Sequence, residues 1–364
     1  MVDAIALIFG VHQTTVDKLL GRDGMHPSIM APMEYVFKLT LVDNDAGGIP
    51  ALWGEHNPEF DDNVTPLMML GVLPSVLARR AYRARTRIAA ALERYFSARH
   101  DGAAGVSAFV RERSRLLRSY GVDDGELARN ETAITLVATS NAVATLFWCL
   151  AELFARPDLL RDVRAEVARA VAVQGEGRRA TVPAAGLEAR VPLLASAYRE
   201  AIRLASQSVA SRRVLRDTVV SAGAGGPSYL LRAGTDVFLP AKQVHRDRAV
   251  WGADAERFDA RRFLARAHGG GASDDVLRLR RAAFVPFGGG KHLCPGRHFV
   301  FVENLATMAA LALGFELDGL DAARLQMAES RRGETAKPVP GMAGGPVVLR
   351  RRKGWEDVVW EFSW

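Results

Sequence analysis

The chain has 364 residues, 49% hydrophobic and 24% charged, which describes a globular protein able to bury a sizeable core. Its two cysteines, Cys149 and Cys294, are too few for a secreted disulfide framework, so a reducing compartment is expected. The net charge of +7 comes from 42 Arg against 6 Lys; with no recognition motif beside it, this excess points to a solvated surface or an acidic protein partner, and no nucleic-acid role is expected.

The opening MVDAIALIFGVHQTTV has too short an apolar run for a membrane span and lacks the basic start of a signal peptide, so no anchor is visible in the chain. From Leu73 to Tyr120 the pattern is helical, with Ile88, Leu92 and Phe96 spaced four apart on one face and HDGAAG, His100 to Gly105, breaking it as a turn. The arginines at 111, 113, 115 and 118 read as a solvated helix face. Ala133 to Phe154, AITLVATSNAVATLFWCLAELF, is long enough at ~1.5 Å per residue to cross a bilayer. Its polar residues Thr135, Thr139, Ser140, Asn141, Thr145 and Glu152 favour a long core helix instead. Pro157 and Asp158 suit a helix start, Gly175 to Pro183 a surface loop, and Leu193 to Leu204 another helix.

The character then changes. Arg213 to Leu239 is rich in Val, Leu, Tyr and Thr, with SAGAGGPS (Ser221 to Ser228) as a loop, and predicts short strands and hairpins. A second basic cluster follows at Arg278, Arg280 and Arg281. Phe299 to Gly314 is helical, and Gly345 to Trp364 alternates as two terminal strands. With no internal repeat, the expected fold is mainly α, a large helical body with a small β component.

Several chemistries drop out. GGGKH is not a phosphate loop, because Val285 stands where the first glycine is needed and His292 where a hydroxyl is needed. HGGG, His268 to Gly271, has no Gly-x-Ser-x-Gly elbow to accompany it, and two distant cysteines do not build a structural zinc site. What remains is FVPFGGGKHLCPGRHF, Phe284 to Phe299. Cys294 there follows a glycine turn and precedes a helix; backbone N–H groups and the helix N-terminus both favour a thiolate, which is either a metal ligand or an inert buried thiol. Gly288 to Gly290 and Gly296 leave room for something large and flat to approach the backbone, and Phe287 is placed to pack over the sulfur.

Phe287, Gly290, Cys294 and Gly296 spell Phe-x-x-Gly-x-x-x-Cys-x-Gly, which resembles the heme-binding loop of the cytochrome P-450 family. Glu200-Ala-Ile-Arg203 is similar to that family's Glu-x-x-Arg helix. WGADAERFDARRF, Trp251 to Phe263, resembles the segment whose arginine joins this pair, here Arg262, although Ala260 and Arg261 replace the usual Pro-Glu. The core helix matches in part. Ser140 and Asn141 stand where most members carry an acid and a threonine that deliver protons during oxygen activation, and ATSNAVATLFW is similar to the subgroup of prostacyclin synthase and the sterol 7-alpha and 12-alpha hydroxylases. An asparagine amide can hold water but is no acid, so both a hydroxylase and an isomerase or dehydratase stay open.

The resemblance runs continuously over 73–364, is patchy over 1–72, and looks most like filamentous-fungal members. It implies a single heme-thiolate domain over 1–364 that is incomplete at the front. Trp53, followed by Pro58, makes no counterpart of the family's propionate-binding helix, His292 replaces an arginine, and Val300 replaces an alanine. A truncated product that binds heme poorly is therefore a second expectation. For an active chain the resemblance implies heme b held through the iron by Cys294, with Phe287, Gly290, His292 and Gly296 around it and Ser140 and Asn141 catalytic. Glu200, Arg203 and Arg262 form a structural network, and Gln207 to Val209 and Pro338 to Gly341 line a pocket for an apolar sterol, terpenoid or polyketide. Electrons would come from NADPH through a P-450 reductase docking near Lys291 and Arg297, and a full-length form would sit on the cytosolic face of the endoplasmic reticulum membrane.

Overall fold

The computed structural model describes Ser75 and residues 79–363, apart from 104–105, 107, 176–178, 222–225, 265–273, 326, 328–334 and 337–346. The patchy stretch 1–72 with Trp53, the HGGG run, and the pocket segment Pro338 to Gly341 lie outside the described residues.

Two amphipathic helices, α1 (Arg79–Ser97) and α2 (Ala108–Ser119), flank a 3-10 turn at His100–Gly102, where the sequence places a break. The expected apolar face of α1 is the buried one: Ile88, Leu92 and Phe96 are at most 1% exposed and pack toward the longest helix, α3 (Asp124–Phe154). That helix begins ahead of its apolar run because Asp123 caps it, its side chain accepting from the Glu126 N–H at 2.7 Å, while Asp124 and Glu126 oppose the positive end of the helix dipole. Its C-terminal half lies in the core, with Leu146, Trp148, Leu150 and Leu153 fully buried. No helix among the described residues is long and apolar enough to cross a membrane.

The chain continues into α4 (Pro157–Ala170), with proline at its start as expected, then β1 (Ala172–Gln174) and β2 (Arg179–Pro183). Here the loop expected over Gly175 to Pro183 is corrected, because its second half is a strand. β2 pairs antiparallel with β1 and parallel with the last strand, β9 (Val359–Ser363), in register from Arg179↔Val359 to Pro183↔Ser363. Ala180 and Val182 are buried and Pro183 ends the strand, where a missing N–H is tolerated.

After the short α5 (Leu187–Arg190), α6 (Pro192–Ala205) is buried along most of its length. Two small antiparallel pairs follow: β3 (Val209–Arg213) with β6 (Asp236–Pro240), and inside them β4 (Thr218–Ser221) with β5 (Ser228–Leu231), which meets the expectation of hairpins. The helices α7 (Ala241–His245), α8 (Arg248–Trp251) and α9 (Asp274–Ala283) lead to the thiol loop, and α10 (Arg297–Gly314) leaves it. The tail does hold two strands, but they do not pair with each other: β8 (Val348–Arg351) joins β7 (Phe315–Asp318), and β9 joins β2.

The main core forms where α3, α4, α6 and α10 meet around Trp148, Leu194, Tyr198, Met308 and Trp360. At the C-terminal end of α10, Arg164 donates to the carbonyls of Ala312 and Phe315, both at 2.8 Å, and Arg352 donates to that of Leu313 at 2.8 Å. Two cations thus satisfy carbonyls that the helix leaves without partners and oppose its negative pole, fixing α10 from the end opposite Cys294.

Candidate active site

Glu200 and Arg203 sit one turn apart on α6, and neither exposes any surface. Arg203 grips the carboxylate with both arms of its fork, Nε to Oε2 at 2.7 Å and Nη2 to Oε1 at 2.8 Å. Its Nη1 donates to the carbonyls of Ala255, at 2.7 Å, and His245. Arg262 donates through Nε to Glu200 Oε1 at 2.9 Å, and the Asp259 N–H reaches the same oxygen at 3.1 Å. Burying such charges is affordable only when every lone pair and proton is matched, and here the matching is nearly complete.

The structure thus brings Glu200 and Arg203, three apart on one helix, into one network with the distant Arg262. It adds residues that sequence reasoning missed. Asp254 takes Arg262 Nη2 at 2.9 Å, and that contact, ahead of other influences, holds its carboxyl below the usual range. Trp251 lies under the Arg203 guanidinium, 5.0 Å from ring centroid to Cζ, and gives its carbonyl to Arg262 at 3.0 Å. Ser196 fixes the end of the segment by accepting the Phe263 N–H at 3.0 Å. Asp254 and Trp251 stand in WGADAERF, the front of the same segment that carries Arg262.

The network backs onto the thiol loop. Gly288 and Gly290 have φ of 78° and 67°, a left-handed backbone that favours glycine, and they turn the chain so that the Cys294 N–H donates to the Phe287 carbonyl at 3.0 Å. Phe287 therefore holds the cysteine through its backbone, while its ring packs into the main core. The Cys294 thiol is exposed, unlike that of Cys149, whose burial pushes it well above the ordinary thiol range. A Cβ on Gly289 or Gly290 would meet nothing within 4 Å, so the outer face of the turn is open, and a Cβ on Gly296 would lie 3.9 Å from the Cys294 sulfur. His292 is exposed beside them, and Arg297, opening α10, donates to the Cys294 carbonyl at 3.0 Å.

Asn141 is half-buried on α3, with Ser140 at the preceding helical position. Its Oδ1 accepts the Thr335 N–H at 3.5 Å, and Thr335 in turn bridges to Ser206 just after α6, where Ala205 accepts the Ala336 N–H at 2.8 Å. Asn141 and the start of the Gln207 to Val209 segment are therefore brought together by Thr335; Gln207 is buried and Val209 exposed.

These features meet a known pattern, and the family model described as Cytochrome P450 matches residues 64–341. The chain belongs to the cytochrome P450 family. A cytochrome P450 monooxygenase of Gibberella zeae is 35% identical over 338 residues, covering 86% of this chain and 62% of that protein. The cytochrome P450 monooxygenase nodJ of Hypoxylon pulicicidum is 29% identical, covering 84% and 58%. The likeness to the sterol 7-alpha subgroup is present too: the cholesterol 7-alpha-monooxygenase of Cricetulus griseus is 29% identical over 264 residues, covering 71% and 51%. A crystal structure of a cytochrome P450 superposes with a TM-score of 0.56 at 21% identity, covering 79% of this chain and 59% of that one, and agrees on the fold. The chain spans about three-fifths of the length of the fungal relatives, 62% and 58%.

The residues present fit a P450 heme. One exposed thiol stands on the loop, and no group of three His, Cys, Asp or Glu able to hold a metal ion by itself occurs among the described residues. A single thiol would suit an iron whose other ligands come from its own macrocycle. Leu293, next to Cys294 in the chain, is 41% exposed and Phe299, in the first turn of α10, 38% exposed, so apolar side chains stay open on this stretch, and the open outer face of the glycine turn leaves room for a flat macrocycle.

Proposed function

We propose that this chain is a heme-thiolate monooxygenase that hydroxylates an apolar small molecule of the sterol, terpenoid or polyketide class, using electrons from NADPH delivered by a flavoprotein reductase. The observation that carries the reading is the exposed Cys294 thiol, held by the Phe287 carbonyl on an open glycine turn that backs onto the buried Glu200–Arg203–Arg262 network.

Cys294 would hold the iron, with Phe287, Gly290, His292 and Gly296 shaping the cradle. When bound, the heme supplies the activation of O2, one atom entering the substrate C–H bond and the other leaving as water at the cost of two electrons and two protons. The protein's own part is orientation and proton management. The Phe287 carbonyl accepts the Cys294 N–H and Arg297 donates to the Cys294 carbonyl, so the sulfur is pinned through the backbone on both sides of its Cα. Glu200, Arg203 and Arg262 hold α6 against the segment that runs toward the loop. Asn141 engages its carbonyl oxygen with the Thr335 N–H, which leaves its NH2 group to donate to a water or a substrate oxygen. It holds a proton donor in place without acting as an acid, and Ser140 precedes it. Gln207, next to Ser206, is the buried member of the pocket-lining segment.

The electron donor would meet a basic surface that includes Lys291, which is exposed, and Arg297, opposite an acidic flavoprotein face. For a full-length form, this assignment implies the cytosolic face of the endoplasmic reticulum membrane as the place of work. The test is turnover under 18O2 with NADPH and a fungal reductase against a panel of sterols, terpenoids and polyketides. One labelled oxygen per product, strictly dependent on NADPH and reductase, is expected; an unlabelled, reductase-independent product would make the chain an isomerase or dehydratase.

A further inference from the structure

We propose that His245 is a positioning residue for the thiol loop, tying the buried Glu200–Arg203–Arg262 network to the stretch of chain that leads into Cys294. Its bearing on the heme rests on the reading of Cys294 as the iron ligand; the tie itself does not.

His245 ends α7 and is fully buried. Its two polar ends face different partners. The backbone carbonyl accepts from the Arg203 guanidinium. The ring Nε2 accepts the Val285 N–H at 2.9 Å, a contact between residues 40 apart in sequence. Val285 lies two residues before Phe287, whose carbonyl takes the Cys294 N–H at 3.0 Å. A continuous path of hydrogen bonds and short covalent steps therefore runs from Glu200 through Arg203, His245, Val285 and Phe287 to Cys294.

The imidazole has little freedom to turn. It meets Trp251 edge-on, with centroids 6.4 Å apart at 85°, and lies against Phe284 at 5.9 Å and 31°. Trp251 is itself fixed, its Nε1 donating to the Val244 carbonyl at 2.9 Å. Accepting at Nε2 demands a neutral ring with its proton on Nδ1, an atom that is buried and has no hydrogen-bond partner among the described residues, so the Val285 contact alone selects the tautomer. Burial first, then the charges of Arg203 and Arg246, outweigh a backbone contact of Arg203 and push His245 down to about 4. A cationic His245 would turn its acceptor into a donor facing another donor.

The experiment compares the wild-type chain with His245→Phe, which keeps an aromatic ring but loses the acceptor, and His245→Gln, whose side-chain carbonyl can replace it. Two quantities are read: hydrogen exchange at the Val285 amide without heme, and the fraction of thiolate-ligated heme in the carbon monoxide spectrum. His245→Phe should speed Val285 exchange by about tenfold or more and lower the thiolate fraction, and His245→Gln should restore both toward wild type. Unchanged exchange in a folded His245→Phe protein, or equal behaviour of the Phe and Gln variants, overturns the proposal. If His245→Phe does not fold, the wild-type imidazole 15N spectrum decides: a proton on Nδ1 and a bare Nε2 from about pH 8 to about pH 5 supports the tie, and a proton on Nε2 overturns it. A faster Val285 exchange in the Phe variant, together with heme uptake but no thiolate signal in wild type, supports the tie and removes Cys294 as the ligand.

Discussion

Replacing Glu303 by glutamine should stabilise the protein, and by an amount that grows with pH. Glu303 lies on α10, 8% exposed, and its Oε1 has no hydrogen-bond partner among the described residues. Burial pushes its carboxyl up to about 8. The folded state therefore keeps a proton that the unfolded chain, titrating near 4.5, releases. Stability is greatest below the unfolded value and falls as pH rises, until the folded carboxyl also ionises. With one proton of difference at about 1.4 kcal/mol per pH unit, the carboxyl costs about 1 kcal/mol at about pH 5 and about 4 kcal/mol at about pH 7.5. Glutamine has nearly the same shape and does not titrate. Urea unfolding of wild type and Glu303→Gln at those two pH values should show the advantage of glutamine growing by about 3 kcal/mol. A difference that stays flat with pH would refute the burial of a protonated acid at this position.

Other changes follow from the same packing. Arg262→Ala leaves Glu200 and Asp254 short of a partner and should cost about 3–5 kcal/mol, read as a lower urea midpoint; Arg262→Lys should rescue little, because one ammonium cannot repeat the separate contacts to Glu200, Asp254 and Trp251. Gly314→Ala drives a Cβ into the ring of Trp360, a β9 residue that is fully buried and stacked on Trp355 at 5.5 Å, so a loss of about 1–3 kcal/mol by thermal unfolding is expected. Lys291→Glu should slow reduction by the reductase without lowering heme content, and rates unchanged at low ionic strength would move the docking site elsewhere. Arg297 is a poorer probe of docking, since it bonds the Cys294 carbonyl and its reversal would disturb the loop as well.

The parts legible in the sequence were those set by short spacing. Glu200 and Arg203 are three apart on one helix, Phe287 to Cys294 lies within a single turn, and the apolar stripe of α1 repeats every four residues. What stayed hidden was set by contacts between distant segments. RATVP, read as loop, becomes β2 between two partners, the short neighbouring β1 and, about 180 residues later, the parallel β9, and its two buried positions are too few to alternate visibly. The tail strands were visible as strands, but their partners were not. α3 starts before its apolar run because a cap, and not hydrophobicity, sets its first residue. The Val285 contact of His245 has no signature in the chain at all, since a histidine two residues from an aspartate looks the same whether it faces water or a buried amide. Thr335 is similar: only the folded chain brings it against Asn141.

The central claim is that Cys294 supplies a thiolate to a heme iron. The full chain, loaded with heme, reduced and exposed to carbon monoxide, should show the red-shifted Soret band of thiolate ligation, and Cys294→Ser should lose that band while Cys149→Ser keeps it. Heme uptake with no such band in wild type, or a band that survives Cys294→Ser, would contradict the account.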